Sequence, residues 1–187
     1  MRHVVDRELL DAGGIDDALN RLAGEIGAQP EVRGAVEPPI LVGVVTGGAI
    51  LARRLQGLVA ERIGRDVELG EIDIALYRDD VFAGLANPVV QPAVLPETVD
   101  GRVIVLVDDV LFTGRTVRAA LDELIDFGRP KAVRLAVLVD RGLRELPVRA
   151  DYVGICVLTT AEEQVQVQLR ETEETDVDRV IVLRRNK

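Results

Sequence analysis

Two adjacent acids, Asp108 and Asp109, follow an unbroken aliphatic run, and a Thr-Gly-Arg-Thr turn at residues 113–116 comes shortly after them. In an open α/β sheet such a turn lies at the carboxyl edge, where ligands bind. The N–H groups of the turn and the dipole of the next helix suit a phosphate. The carboxylates suit ribose hydroxyls, or a hard cation such as Mg²⁺ that accompanies a polyphosphate. A phosphorylated sugar that carries metal-bound pyrophosphate would satisfy every part.

A second turn, Thr46-Gly47-Gly48, follows the aliphatic residues 40–45. Two glycines allow backbone amides to approach an anion closely. Alone the turn is weak evidence of a site, because glycines between a strand and a helix commonly serve tight packing. Together with the Asp108 segment it favours an anion site.

Arg78 stands at the base of a stretch without clear periodicity, residues 81–101, which is typical of a lid or binding loop. Its guanidinium is suited to bidentate contact with a pyrophosphate. On local grounds Arg78, Asp79 and Asp80 fit a solvated salt-bridge cluster equally well, and both readings stay open.

The elements that would position these residues alternate between strand and helix. The sequence predicts strands at residues 40–45, 72–76, 103–107, 132–139 and 152–158, and helices at residues 15–28, 49–63 and 119–125. Thr116 is predicted to cap the helix that follows it. Residues 165–169 alternate as in a half-exposed antiparallel strand, and residues 180–183 predict a closing strand. We therefore expect an α/β fold with a mostly parallel sheet flanked by helices.

Composition limits the class of protein. The 187 residues suit one domain, and a hydrophobic content of 48% with 3% aromatic residues predicts an aliphatic core. The net charge of −9 argues against non-specific nucleic-acid binding, although a local basic face remains open where six basic residues fall between Arg129 and Arg149. A single cysteine, Cys156, and the lack of a bilayer-spanning run predict a soluble, cytoplasmic protein.

The motif of strand, acidic pair and Thr-Gly-x-Thr loop resembles the phosphoribosyl-pyrophosphate (PRPP) site of type I phosphoribosyltransferases. Residues 70–80, 105–122 and 135–154 together are similar to the PyrR family, regulators of pyrimidine-operon attenuation that are also uracil phosphoribosyltransferases. The resemblance implies that uracil and PRPP give UMP and pyrophosphate, with Mg²⁺ bound through the pyrophosphate and not assigned to protein ligands. It also implies UMP-dependent binding of pyrimidine-operon mRNA, and a homodimer or larger homo-oligomer.

The resemblance also implies roles for residues. Asp108 and Asp109 would hold the ribose hydroxyls and favour a cationic ring, and Arg78 would bind the leaving pyrophosphate as a third catalytic residue. The implied PRPP and nucleotide site consists of Thr46, Gly47, Gly48, Arg78, Asp108, Asp109, Val110, Leu111, Phe112, Thr113, Gly114, Arg115 and Thr116. Asp140 and Arg141 would serve the base within a small hood at about residues 140–158 of a single domain, 1–187. Arg144 and Arg149 match the arginines that the family uses with RNA.

Several positions depart from the family pattern. The pyrophosphate loop usually reads Thr-Arg-Gly, and here Gly47 replaces the arginine; Leu143 stands where the family has His, and Ile155 where it has Lys. Asn20 and Gly24 replace a Thr and a His that the family uses with RNA. Two alternatives therefore stay open: a nucleotide-sensing RNA-binding regulator without useful catalysis, and a type I phosphoribosyltransferase for another base, such as a purine.

Overall fold

A computed structural model describes residues 3–74, 93–172 and 176–185. In these residues the elements follow the order β1 (His3–Leu10), α1 (Ala12–Ala28), α2 (Pro30–Arg33), β2 (Ile40–Val44), α3 (Gly47–Ile63), β3 (Glu68–Ile72), β4 (Val103–Leu111), α4 (Arg115–Asp126), β5 (Ala132–Asp140), β6 (Tyr152–Cys156), β7 (Glu163–Gln168) and β8 (Arg179–Arg185). Arg78, one of the predicted catalytic residues, lies outside the described residues.

The central sheet has five parallel strands in the order β3-β2-β4-β5-β6. Its strands are aliphatic on both faces because helices cover both. Val105 and Val107 of β4 pack in a cluster with α1 and α3, whereas Ile104 and Leu106 pack in a second cluster with α4. The predicted α/β architecture is confirmed.

The helix α1 shows why the periodicity was informative. Ile15, Leu19, Leu22 and Ile26 recur on one face and are buried. Asp11 caps the helix, because its carboxylate accepts a hydrogen bond of 2.8 Å from the N–H of Gly14. The helix therefore begins three residues before the predicted start at Ile15.

A second, antiparallel sheet joins the two ends of the described chain in the order β1-β8-β7. Within residues 140–158, which were predicted to form a hood, β6 belongs to the central sheet and pairs in parallel with β5. Tyr152 is buried there, and a Cβ at Gly154 would overlap the carbonyl of Leu138, so the glycine allows this close pairing. We call the sheet of β1, β8 and β7 the small sheet.

An ion-pair network connects the small sheet to α3. Asp178 has no exposed side-chain area and accepts hydrogen bonds from Arg54 of α3 and from Arg170. Burial alone would raise the pKa of Asp178, but the two guanidinium groups outweigh it and lower that pKa well below its usual range. Arg54 also holds Glu171 at 2.5 Å. The segment that follows β7 is therefore tied to the helix that begins at Gly47.

Two strands differ from their predicted bounds by four residues. β3 lies at Glu68–Ile72 instead of residues 72–76. β4 continues to Leu111 instead of ending at Val107, because β5 runs beside it as far as Asp140. None of the helices described here is long and apolar enough to span a bilayer.

Candidate active site

Asp108 and Asp109 lie in the carboxyl-terminal part of β4, beyond the end of its pairing with β2. β2 pairs with β4 only as far as the Gly43–Val107 register, whereas β5 accompanies β4 up to Leu111. The β2 side of residues 108–111 is therefore open at the carboxyl edge of the sheet. This is where the crevice of an open α/β sheet is expected.

The Thr46-Gly47-Gly48 turn closes one side of this opening and begins α3, whose first residues are Gly47 and Gly48. The peptide bond between Val45 and Thr46 is cis. A Cβ at Gly47 would overlap the carboxylate of Asp109, and a Cβ at Gly48 would overlap the carbonyl oxygen of Val107. Both glycines thus bring the positive end of the α3 dipole against the acidic pair.

The Thr113–Gly114 turn brings a second helix N-terminus to the same edge. Gly114 is the N-cap of α4 with φ of 93°, a left-handed backbone that favours glycine. The hydroxyl oxygen of Thr113 accepts a hydrogen bond of 3.4 Å from the N–H of Arg115. The prediction that Thr116 caps the helix is wrong, because the helix begins at Arg115 and Thr116 already lies inside it.

The carboxylates of the acidic pair are oriented locally. Asp108 is 5% exposed, and its Oδ1 accepts a hydrogen bond from the N–H of Asp109. Asp109 in turn accepts from the N–H of Val110 through Oδ1 at 2.8 Å. Each acid is therefore held in place by the next residue of β4.

A cleft of about 1190 Å³ contains these features and is closed by the small sheet. From the central sheet it is lined by Val44, Val45, Thr46, Gly47, Asp108, Asp109, Val110, Leu111, Phe112, Thr113, Gly114, Thr116, Val117 and Arg141. From the small sheet and its connections it is lined by Ala161, Glu163, Gln164, Val165, Gln166, Val167, Leu169, Glu171 and Thr172. Gly48 and Arg115 of the predicted site adjoin the lining residues without belonging to them.

Sequence reasoning missed the whole small-sheet side of the cleft. The Val-Gln alternation at residues 164–169 predicted the strand but gave no signal of its location, because partner strands cannot be read from the period of one strand. The described part of the site thus brings together nearly all predicted PRPP residues and adds a wall from β7.

Arg141 connects the two sides of the cleft. Its guanidinium lies 4.0 Å from the centroid of the Phe112 ring and donates to Thr159 Oγ1 at 3.0 Å, Thr160 O at 3.0 Å and Glu163 O at 2.7 Å. Burial lowers the pKa of Arg141. This predicted base residue therefore touches Phe112 and the start of β7 at once.

Glu163 supports this junction from β7. The N–H of Thr160 and the guanidinium of Arg7 both donate to its carboxylate, at 2.7 and 2.8 Å, and lower the pKa of Glu163 to about 2. Glu163, a residue that lines the cleft, thus carries an ionised carboxylate at neutral pH.

The remaining predicted residues lie in different surroundings. Asp140 accepts from the N–H of Gly142 through Oδ1 and from Arg144 through Oδ2 at 2.6 Å. Arg144 is turned inward onto backbone carbonyls. Arg149 is exposed and lines a separate cavity of about 570 Å³ at the amino ends of β5 and β6, the opposite edge of the sheet.

Asp108 and Asp109 offer two carboxylates to a metal ion. Among residues 3–74, 93–172 and 176–185, three or more His, Cys, Asp or Glu side chains do not gather into a metal site. Two carboxylates beside two helix N-termini suit Mg²⁺ that arrives with a polyphosphate, since this ion commonly uses one or two carboxylates and substrate oxygens.

Comparison with known proteins agrees with this geometry. The model of the phosphoribosyl transferase domain family matches residues 7–172. The "Bifunctional protein PyrR" of Syntrophobacter fumaroxidans is 49% identical over 178 residues, covering 94% of this chain and 92% of its own. The protein of the same name from Desulfosudis oleivorans is 53% identical over 169 residues, covering 90% and 92%.

Solved structures show the same fold at much lower identity. The hypoxanthine phosphoribosyltransferase of Trypanosoma cruzi has a TM-score of 0.71 at 19% identity, covering 97% of this chain and 98% of its own. The HGPRT-ase from Leishmania tarentolae, in complex with GMP, has a TM-score of 0.72 at 19% identity with the same coverage. These structures bear on the fold alone.

Proposed function

Because the chain belongs to the phosphoribosyl transferase domain family and, within it, to the bifunctional PyrR proteins, we propose that it is a uracil phosphoribosyltransferase that converts uracil and PRPP to UMP and pyrophosphate. The observation that carries the proposal is the position of the acidic pair. Asp108 and Asp109 lie between the N-termini of α3 and α4, in a cleft large enough for a nucleotide.

Each helix terminus suits one anionic end of PRPP. The α4 terminus at Gly114 and Arg115 would receive the 5′-phosphate, because the backbone N–H groups of a helix N-terminus and the helix dipole favour an anion there. The α3 terminus at Gly47 would receive the pyrophosphate on the other side of the acids. The ribose between them would place its hydroxyls on Asp108 and Asp109.

The reaction makes limited demands on side chains. As C1 of the ribose loses pyrophosphate, positive charge develops on the ring, and carboxylates fixed beside it stabilise that charge without reorganisation. Holding uracil and PRPP in one cleft supplies the remaining advantage through proximity. Mg²⁺ bound through the pyrophosphate would neutralise the charge of the leaving group. This role matters more here because Gly47 brings no cation to the turn.

Arg141 is proposed to shape the base end of the cleft. It fixes the ring of Phe112 and the strand β7 relative to each other through its stacking contact and three hydrogen bonds. A planar base that entered between Phe112 and β7 would meet two surfaces whose spacing is fixed by Arg141.

A second role, UMP-dependent binding of pyrimidine-operon mRNA, is favoured by Arg149. This exposed guanidinium has no ion-pair or hydrogen-bond partner among the residues described, so it is available to a phosphate. Its position at the amino edge of the sheet separates the RNA surface from the nucleotide cleft.

We further propose a cytoplasmic homodimer or larger homo-oligomer, and the free thiol of Cys156 is compatible with a reducing compartment.

A steady-state assay with PRPP, Mg²⁺ and uracil, with hypoxanthine and guanine alongside, tests the proposed reaction. Formation of UMP with uracil as the preferred base is the expected result. Activity only with hypoxanthine or guanine would show that the substrate is a purine and not uracil. Absence of turnover on every base, with UMP still bound, would leave a nucleotide-sensing regulator.

A further inference from the structure

Residues 141–148, which we call the brace, pack against the back of the phosphate loop, residues 111–114. The N–H of Arg141 donates to Leu111 O at 3.1 Å. The N–H groups of Glu145 and Leu146 donate to Thr113 O at 3.0 and 3.1 Å. The phosphate loop is thus bonded along its length to a segment that follows β5.

Arg144 is the side chain that completes this packing. Its Nη1 donates to Phe112 O at 2.9 Å, to Gly142 O at 2.9 Å and to Leu111 O at 3.3 Å. Its Nε donates to Val148 O at 3.2 Å, and its Nη2 donates to the carboxylate of Asp140 at 2.6 Å. The side chain is 21% exposed. Through these hydrogen bonds a single guanidinium joins the loop, the brace and the end of β5.

These contacts control the direction of the loop's amide groups. In a trans peptide the carbonyl and the next residue's N–H point in opposite directions. By holding the carbonyls of Leu111 and Phe112, Arg144 directs the N–H groups of Phe112 and Thr113 away from the brace. Both residues line the cleft on that other side.

We propose that Arg144 is a positioning residue for the phosphate of PRPP and UMP, acting through the phosphate loop and not by contact with a ligand. The inference rests on the proposed function and deepens it by assigning the geometry of the phosphate subsite to a residue outside that subsite. It also separates Arg144 from Arg149, since a guanidinium whose donors are used internally is not displayed to RNA as Arg149 is.

The fork of an arginine is needed for this task. Planar donors in fixed directions reach carbonyls of two segments, the loop and the brace, and a carboxylate at the end of β5 together. The ammonium of a lysine is a point charge with three donors and cannot reproduce the spread of contacts from Val148 to Leu111. The conservative replacement is therefore expected to be only partly functional.

The test compares Arg144→Ala and Arg144→Lys with Arg118→Ala. Arg118→Ala removes the same charge from α4, near the phosphate loop. The Arg118 side chain is 70% exposed and pairs only with Asp122 among the described residues. For each protein we would measure the dissociation constant of UMP by calorimetry, and the KM for PRPP, the KM for uracil and kcat. Circular dichroism and thermal melting would report the folded fraction.

Arg144→Ala is expected to raise the dissociation constant of UMP and the KM for PRPP by about tenfold, because the loop carbonyls lose a charged donor. The KM for uracil should stay within about twofold of wild type. Arg144→Lys should fall between wild type and Arg144→Ala, and Arg118→Ala should match wild type. This split is not expected of general destabilisation, which would lower the active fraction and hence kcat at unchanged KM.

Wild-type affinity for UMP in folded Arg144→Ala, or equal losses for uracil and PRPP, would overturn the proposal. If Arg144→Ala does not fold, Arg144→Lys decides alone by the same split. Failure of the proposed reaction is distinguishable, because it appears in the wild-type protein as absent turnover, and the UMP titration then still tests Arg144. A wild-type protein that bound neither PRPP nor UMP would contradict both proposals.

Discussion

Gly47 lies directly against Asp109, so closely that a Cβ on the glycine would overlap the carboxylate. The residue that departs from the family's Thr-Arg-Gly pattern is therefore packed against one of the two acids proposed to hold the ribose. Any side chain at position 47 must displace Asp109 from its present position, where its Oδ1 accepts from Val110 N.

Gly47→Ala is accordingly expected to raise the KM for PRPP by about tenfold, because small displacements of positioning groups are costly in such reactions. Gly57→Ala is the matched control on the same helix, since a Cβ there meets no atom within 4 Å. That control should leave the KM unchanged and stabilise the fold by about 0.5–1 kcal/mol through helix propensity. Equal kinetics for the two variants would show that Asp109 does not need its present position.

The sequence predicted the site better than it predicted the site's surroundings. The acidic pair, the two glycine turns and their places after β2 and β4 are local patterns, and the structure brings them to one edge. The small sheet was not predicted, because β1 and β8 pair across almost the entire length of the chain and neither carries a signal of its partner. The inward orientation of Arg144 was also missed, since spacing does not distinguish a charge bonded to carbonyls from one in solvent.

Glu163 should make the stability of the fold sensitive to acid. Its pKa is lowered in the folded state to about 2 from an ordinary 4.5, so its contribution is present above pH 4.5 and is lost as the pH falls towards 2. In Glu163→Gln the free energy of unfolding, measured in urea at several pH values, should fall less steeply in this range. Glu162→Gln, at an exposed neighbouring position, should keep the wild-type slope. The assignment fails if both variants titrate alike.

Removing the buried carboxylate of Asp178 is expected to destabilise the fold more than removing its exposed partner Arg170. Asp178→Ala leaves Arg54 partly buried without one of its two acidic partners, and we expect a loss of about 3 kcal/mol in the free energy of unfolding. Arg170→Ala breaks a more exposed contact to the same carboxylate and should cost clearly less than Asp178→Ala. Urea denaturation of both variants measures the difference, and similar losses would contradict the asymmetric role of Arg54.

Arg149 and Arg144 should differ in their effect on RNA. With UMP saturating, Arg149→Ala is expected to reduce the slope of log K against log salt concentration by about one phosphate contact. Arg144→Ala should leave that slope unchanged, because its guanidinium is bonded inside the protein. Filter binding of a pyrimidine-operon leader transcript at several salt concentrations gives both slopes. If only Arg144→Ala reduced the slope, Arg144 and not Arg149 would be the residue that contacts RNA, which would contradict the assignment.

The most direct test of the account is calorimetric titration of PRPP with Mg²⁺ into wild type and into the double variant Asp108→Asn, Asp109→Asn. Amides keep the size of the carboxylates but remove the charge that would hold the ribose, so we expect saturable binding to wild type and a loss of at least about 100-fold in the variant. Thermal melting should show that the variant remains folded. PRPP affinity equal to wild type in a folded double variant would contradict the assignment of the acidic pair between α3 and α4 as the PRPP site.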